Sequence, residues 1–188
     1  MSSLQRSATT PSPKKKKTGS FTPPPQADTV PVTPEAAMDP KDCDDKAKSI
    51  FREFFVGGDL DEAIVSISEL AIASDSVVIL REGILLVLEM KEDDVNKFVT
   101  VADQCFLQGK LSSSCVVPAL QDPLEFLRDI EIDAPRASEF LARILANWLT
   151  VEYNNEPIVM LECLLKAPEY FLSDGRPAEF CAQVVKAR

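Results

Sequence analysis

Histidine is absent from the 188-residue chain. That removes the commonest general base, the commonest metal ligand and every nucleophile–histidine pairing at once. Glycine is scarce, with six residues and no G-x-G-x-x-G or G-x-x-x-x-G-K-[ST] frame, so no loop is built to cradle phosphate. No apolar run reaches the roughly 18 residues of a membrane span, and the N-terminus has no apolar signal core. The five cysteines (Cys43, Cys105, Cys115, Cys163 and Cys181) are odd in number and contain no C-x-x-C pair. They read as buried free thiols of a reducing compartment rather than as a disulfide frame or a zinc site. These absences argue against an enzyme, a cofactor and a metal.

What is present is acidic charge, unevenly placed. The chain carries 20 Lys and Arg against 30 Asp and Glu, a formal charge of −10. Residues 1–40 hold five basic and three acidic residues, a net +2, and the remainder holds 15 and 27, a net −12. The second part repels nucleic acid, whose phosphates need a cationic face, and suits a basic protein partner.

Residues 1–41 are expected to be a disordered tail. The first 40 contain eight of the 14 prolines and 11 Ser or Thr, too little apolar surface to offset the entropy of ordering. Within it, Lys14, Lys15, Lys16 and Lys17 form a compact run that reads as a nuclear-import signal, an RNA contact or a solvated charge cluster. Thr10, Ser12, Thr22 and Thr33 each precede proline and are candidate phosphorylation sites.

Residues 42–188 are expected to form one all-α domain of stacked antiparallel helical hairpins. Ala47, Ile50, Phe51, Phe54 and Phe55 recur at helical spacing until Gly57-Gly58 stops them. Asp59 and Glu62 then begin a second helix with a capping box, its stripe running from Leu60 to Ala71. Residues 76–90 are apolar nearly all round and read as a central helix. Val95 to Phe106 trace a fourth helix that Gly109 ends. A fifth, capped by Ser112 or Ser113, should be kinked or start late because of Pro118 and Pro123. An acidic–apolar connector, 129–135, then leads into a sixth helix with Pro135 in its first turn and Trp148 on its buried face. Pro157 and Pro177 should open two more, at 157–166 and 177–187. The hairpins start near residues 44, 76, 112 and 157, spacings close to those of helical-repeat arrays.

Two stretches resemble a known family. Lys46-Ala47-Lys48-Ser49-Ile50, followed by Asp59-Leu60-Asp61-Glu62-Ala63 and Ser68-Glu69-Leu70, is similar to the opening hairpin of the MI domain. That HEAT-like module occurs in the translation initiation factor 4 gamma scaffold and in the programmed-cell-death translation inhibitor. Gly109-Lys110-Leu111-Ser112, then Leu127-Arg128-Asp129-Ile130-Glu131-Ile132-Asp133-Ala134-Pro135, resembles its third hairpin with the acidic loop. The resemblance covers about residues 44–150 and implies a HEAT-like α-solenoid that binds the DEAD-box RNA helicase of the initiation machinery. It implies that Asp129, Asp133 and Pro135 contact a basic face of the helicase, with Glu131 in the same acidic run. Asp59 and Asp61 would belong to a neighbouring surface of the first hairpin. A single copy resembles the scaffold type, which supports helicase cycling, more than the tandem inhibitor, which holds the helicase off RNA.

The residues themselves leave alternatives open. A carboxylate pair four apart can present two acceptors to arginine forks, with Ile130 and Ile132 pinning the loop from the other side. Asp133 could equally cap the sixth helix, and the run could be a merely solvated acidic loop. A carboxylate-pair hydrolase would have to use Asp129/Asp133 or Asp93/Asp94, but aromatic residues for a sugar cleft are few. A scaffold module of nuclear RNA processing is the other rival, favoured by the lysine run. The expected compartment is the cytoplasm, with the nucleus as the alternative.

Overall fold

The computed structural model describes residues 39–153, 156–157 and 176–187. The lysine run Lys14, Lys15, Lys16 and Lys17, the candidate phosphorylation sites, Cys163 and most of the helix expected at 157–166 lie outside the described residues.

The chain opens with α1 (Pro40–Gly57), two residues earlier than its apolar stripe suggests, because Pro40 suits the first helical position. Asp39 caps it by accepting the Lys41 N–H at 2.9 Å. Gly58 ends it with φ 72°, a left-handed residue whose N–H returns to the Phe54 carbonyl at 2.8 Å. Asp59 then caps α2 (Leu60–Ala73), taking the Glu62 N–H at 3.0 Å. Asp75 does the same for α3 (Ser76–Leu88), and α4 (Glu92–Leu107) ends at the left-handed Gly109.

The expected fifth helix is broken rather than kinked. Ser112 caps a single 3-10 turn (Ser113–Cys115), followed by α5 (Val116–Ala119) and α6 (Gln121–Glu125). Pro118 and Pro123 each fall in the first turn of their own short helix, where no N–H is required. Next come α7 (Leu127–Asp133), α8 (Ala137–Trp148) and, after the gap, α9 (Arg176–Ala187). Pro157 itself is extended. It lies in the two-residue strand β2 (Glu156–Pro157), paired antiparallel with β1 (Glu152–Tyr153), Glu152 opposite Pro157. So short a ladder leaves the class all-α.

The helices stack as hairpins about α3, which packs against α1, α2, α4, α5, α6 and α8. That central position explains why its sequence is apolar nearly all round. A file of rings crosses the core from α1 to α8. Phe51 meets Phe98 at 5.4 Å between centroids, Phe98 meets Trp148 at 6.3 Å, and Phe106 meets Trp148 edge-on at 5.7 Å. Trp148 is fully buried, as its place in the stripe predicts.

Gly83 is where α3 passes beneath those rings. A methyl group there would sit 2.6–2.7 Å from ring carbons of Phe51 and Phe98. Alanine gains about 1 kcal/mol of helix propensity over glycine, but overpacking a filled core costs about 1–3 kcal/mol. Both rings are buried and cannot swing into solvent. Gly83→Ala should therefore lower the urea midpoint, and a raised midpoint would show that the rings yield.

Among the described residues, one charged side chain is buried. Glu82, 5% exposed, meets Lys48 Nζ at 3.0 Å and Arg81 at 2.9 Å, and Arg81 reaches Asp44 at 3.2 Å and Asp122 at 3.5 Å. The cluster joins α1, α3 and α6, and its pairing is what makes a buried carboxylate tolerable. The thiols of Cys105 and Cys115 are pushed up by burial to about 12 and about 11, so they stay protonated and inert.

Asp103, half-buried on α4, accepts from Trp148 Nε1 at 3.1 Å and from Asn147 Nδ2 at 2.8 Å. Burial raises its carboxyl above the ordinary range, and these two bonds only partly oppose that. The folded state therefore holds the proton at a pH where the unfolded chain has lost it. Stability falls as pH rises from the ordinary value near 4 through the folded value. Asn at 103, with Asn147 turned over, keeps both bonds without the charge. Asp103→Asn should gain on the wild type in urea melts as pH rises from about 4 to 7, and a pH-independent difference would refute it.

Candidate partner-binding face

The acidic stretch is helical, not a loop. In α7, Leu127 is buried and Ile130 packs against the core, with Ala134 behind them. These positions, i, i+3 and i+7, fix one side of the helix. Asp129 and Asp133 are exposed at i and i+4, so both stand on one face, about 5–6 Å apart at Cβ. Glu131, two residues from each, is half-buried and projects elsewhere.

Ile132 does not pin anything. In an extended connector it would share a side with Ile130; in a helix it turns out, and it is 76% exposed. Phe126, the hinge between α6 and α7, is 49% exposed. The face therefore combines two carboxylates with apolar surface, an addition that alternation in the sequence concealed.

Asp133 does not cap α8. The N-cap of α8 is Arg136, with no side-chain cap bond, and Pro135 stands exposed just ahead of it rather than in the first turn. Among the described residues, neither Asp129 nor Asp133 takes part in a salt bridge. Like charges at i, i+4 repel by about 0.2–0.5 kcal/mol, and a carboxylate at a helix C-terminus meets the negative end of the dipole. Two local rules are broken at one place with no salt bridge from either carboxylate among the described residues, which makes this face the candidate site.

The exit from that face is bridged by a side chain not singled out in the sequence, Arg136. Arg136 forks onto Glu139, Nε at 2.9 Å and Nη2 at 2.8 Å, and reaches Glu92 Oε2 at 3.1 Å. Its guanidinium lies 4.7 Å from the Phe140 ring centroid. Arg143 holds the other oxygen of Glu92 at 2.7 Å. Hydrogen bonds from Arg143 and Arg136 lower the Glu92 carboxyl, and Arg136 lowers that of Glu139. The i+3 and i+4 pairings within α8 are visible in sequence; Glu92, 44 residues before Arg136, is not. The clamp ties the segment after α7 to α4 and α8 beside Asp133 and Pro135.

Asp59, the N-cap of α2, and Asp61, in its first turn, are exposed, in a different hairpin from α7. The Asp59 carboxylate already caps α2, leaving Asp61 the freer of the two. The rival pair Asp93/Asp94 sits in the first turn of α4, with Asp94 3.8 Å from Lys97.

Residues 43–152 match the family model described as the MA3 domain. Eukaryotic translation initiation factor 4 gamma 1 of Mus musculus is 30% identical over 121 residues, 64% of this chain and 8% of that protein. The protein of the same name from Oryctolagus cuniculus is 29% identical over 111 residues, 59% of this chain. The chain thus spans 8% of the length of each of these relatives.

Proposed function

This chain belongs to the MA3 domain family, the MI-type module its sequence resembles, and on that premise we propose that it is a non-enzymatic protein-interaction module of translation. In this reading residues 42–188 bind a DEAD-box RNA helicase of the initiation machinery through the acidic face of α7 and modulate its activity. The observation that carries it is the pair Asp129 and Asp133, exposed, unpaired among the described residues and next to the Arg136 clamp. Two carboxylates on one helical face match arginine forks, and Phe126 and Ile132 add apolar area beside them. Pro135 and Asp61 complete the surface, with Glu131 and Asp59 supporting it. The relatives' place in translation initiation supports the choice of partner class.

The cytoplasm fits this reading. Lys14, Lys15, Lys16 and Lys17 are the feature that favours a nuclear role or an RNA contact, and deleting them while following localisation separates the two. The direct test is titration calorimetry of the full chain against the helicase, wild type beside Asp129→Lys/Asp133→Lys. Binding lost in the folded variant supports the reading, and equal affinities overturn it.

A further inference from the structure

The outer side of the first hairpin carries a trough that the α7 face does not use. Its floor is apolar, made by Ile50 and Leu70 and continued toward the α1–α2 turn by Phe54. It is open because the facing positions are small, Ser49 on α1 against Ser66 and Ala73 on α2. The main part is an open depression of about 330 Å³. From Lys46 to Gly57 the α1 wall rises about 17 Å, three helical turns.

Two features define what fits there. The rim carries Glu53, Glu62 and Glu69 against a single Lys46, and none of the four is in a salt bridge among the described residues. Beside the rim, on the solvent side of α2, Val65 is 56% and Ile72 86% exposed. Positions 62, 65, 66, 69, 72 and 73 fall at i, i+3, i+4, i+7, i+10 and i+11, so this apolar strip runs along the trough. An acidic rim repels RNA and attracts Lys and Arg, whereas the floor and strip want apolar side chains at helical spacing.

We propose that this trough is a second docking site, which takes a basic amphipathic helix from a partner protein. Apolar side chains at i, i+3 or i+4 and i+7 enter the floor and rest on Ile72, and flanking cations meet Glu53 and Glu69. The site shares no residue with α7, and only Asp59, at its turn end, belongs also to the surface proposed for the helicase.

The test uses the full chain and a fluorescein-labelled synthetic peptide of Leu and Lys, three turns long, with Leu at i, i+3, i+4 and i+7. Anisotropy should show saturable binding. Affinity should fall about tenfold or more in Glu53→Lys/Glu69→Lys, and comparably in Ser66→Phe, which fills the trough. Both variants are checked by circular dichroism, and Asp129→Lys/Asp133→Lys should bind the peptide as wild type does. Absence of saturable binding overturns the proposal. So does equal binding of a scrambled peptide of the same composition, which would reduce the attraction to net charge, or displacement by a single-stranded RNA oligonucleotide. Rim variants that bind as wild type overturn it as well.

Discussion

Replacing Asp129 and Asp133 together by Lys should abolish the complex with the DEAD-box helicase and leave the helical fold intact. The fold survives because the core side of α7 is Leu127, Ile130 and Ala134, none of them altered. Lysine near the end of α7 suits the dipole better than the native carboxylate does. The size of the single-site effect separates two kinds of interface. If the carboxylates meet desolvated arginines, truncating either should cost about 2–5 kcal/mol, mostly through faster dissociation. If they are rim charges, the loss is about 0.2–1 kcal/mol. Pro135→Ala should weaken binding less, because Arg136 still holds the exit of the helix. Added salt should reduce the affinity, as screening of opposite charges requires.

Trp148→Ala should lower the stability of the domain by about 3–5 kcal/mol, the range for removing a buried aromatic side chain. The indole is 0% exposed and meets Phe98 and Phe106, so its loss leaves a cavity between α4 and α8 that neither ring fills without leaving its own contacts. It also removes one of two donors from the half-buried Asp103. Urea denaturation followed by circular dichroism gives the difference directly. The chain has one tryptophan, so the wild-type emission should be blue-shifted and slow to quench; a red-shifted, freely quenched emission would place the ring in solvent.

The helical class and the first four helices were legible because their signals are local. Stripes at i, i+3, i+4 and the caps at Asp59 and Gly109 depend only on near neighbours in the chain. The region from Ser112 to Pro135 was misread in detail. There two prolines divide the chain into turns too short for periodicity to register, and alternating acidic and apolar residues imitate an extended segment. Burial of Leu127 and Ile130 against the core outweighed that pattern and made α7 helical. The candidate face was legible in its carboxylates and not in its surroundings. Ile132 and Phe126 turn outward only once the helix is known. The Arg136–Glu92 bond joins residues 44 apart, which no local pattern records. Nothing local marks Gly83 as a close approach, because the rings above it, Phe51 and Phe98, come from other helices.

Helical-repeat arrays are often treated as rows of units that feel only their immediate neighbours, so that an end unit can melt while the rest stands. The buried Glu82 cluster denies this domain that freedom. Lys48 and Asp44 belong to the first hairpin, Arg81 and Glu82 to the second, and Asp122 to the segment that begins the third. Opening the first hairpin strips Glu82 of Lys48 and Arg81 of Asp44, while detaching α6 removes the Asp122 partner from the same guanidinium. Loss of α1 or of α6 therefore weakens the pairing around the buried Glu82. The first hairpin, α3 and α6 are thereby tied through one cluster of charges, so that disturbing α1 or α6 bears on the same buried carboxylate.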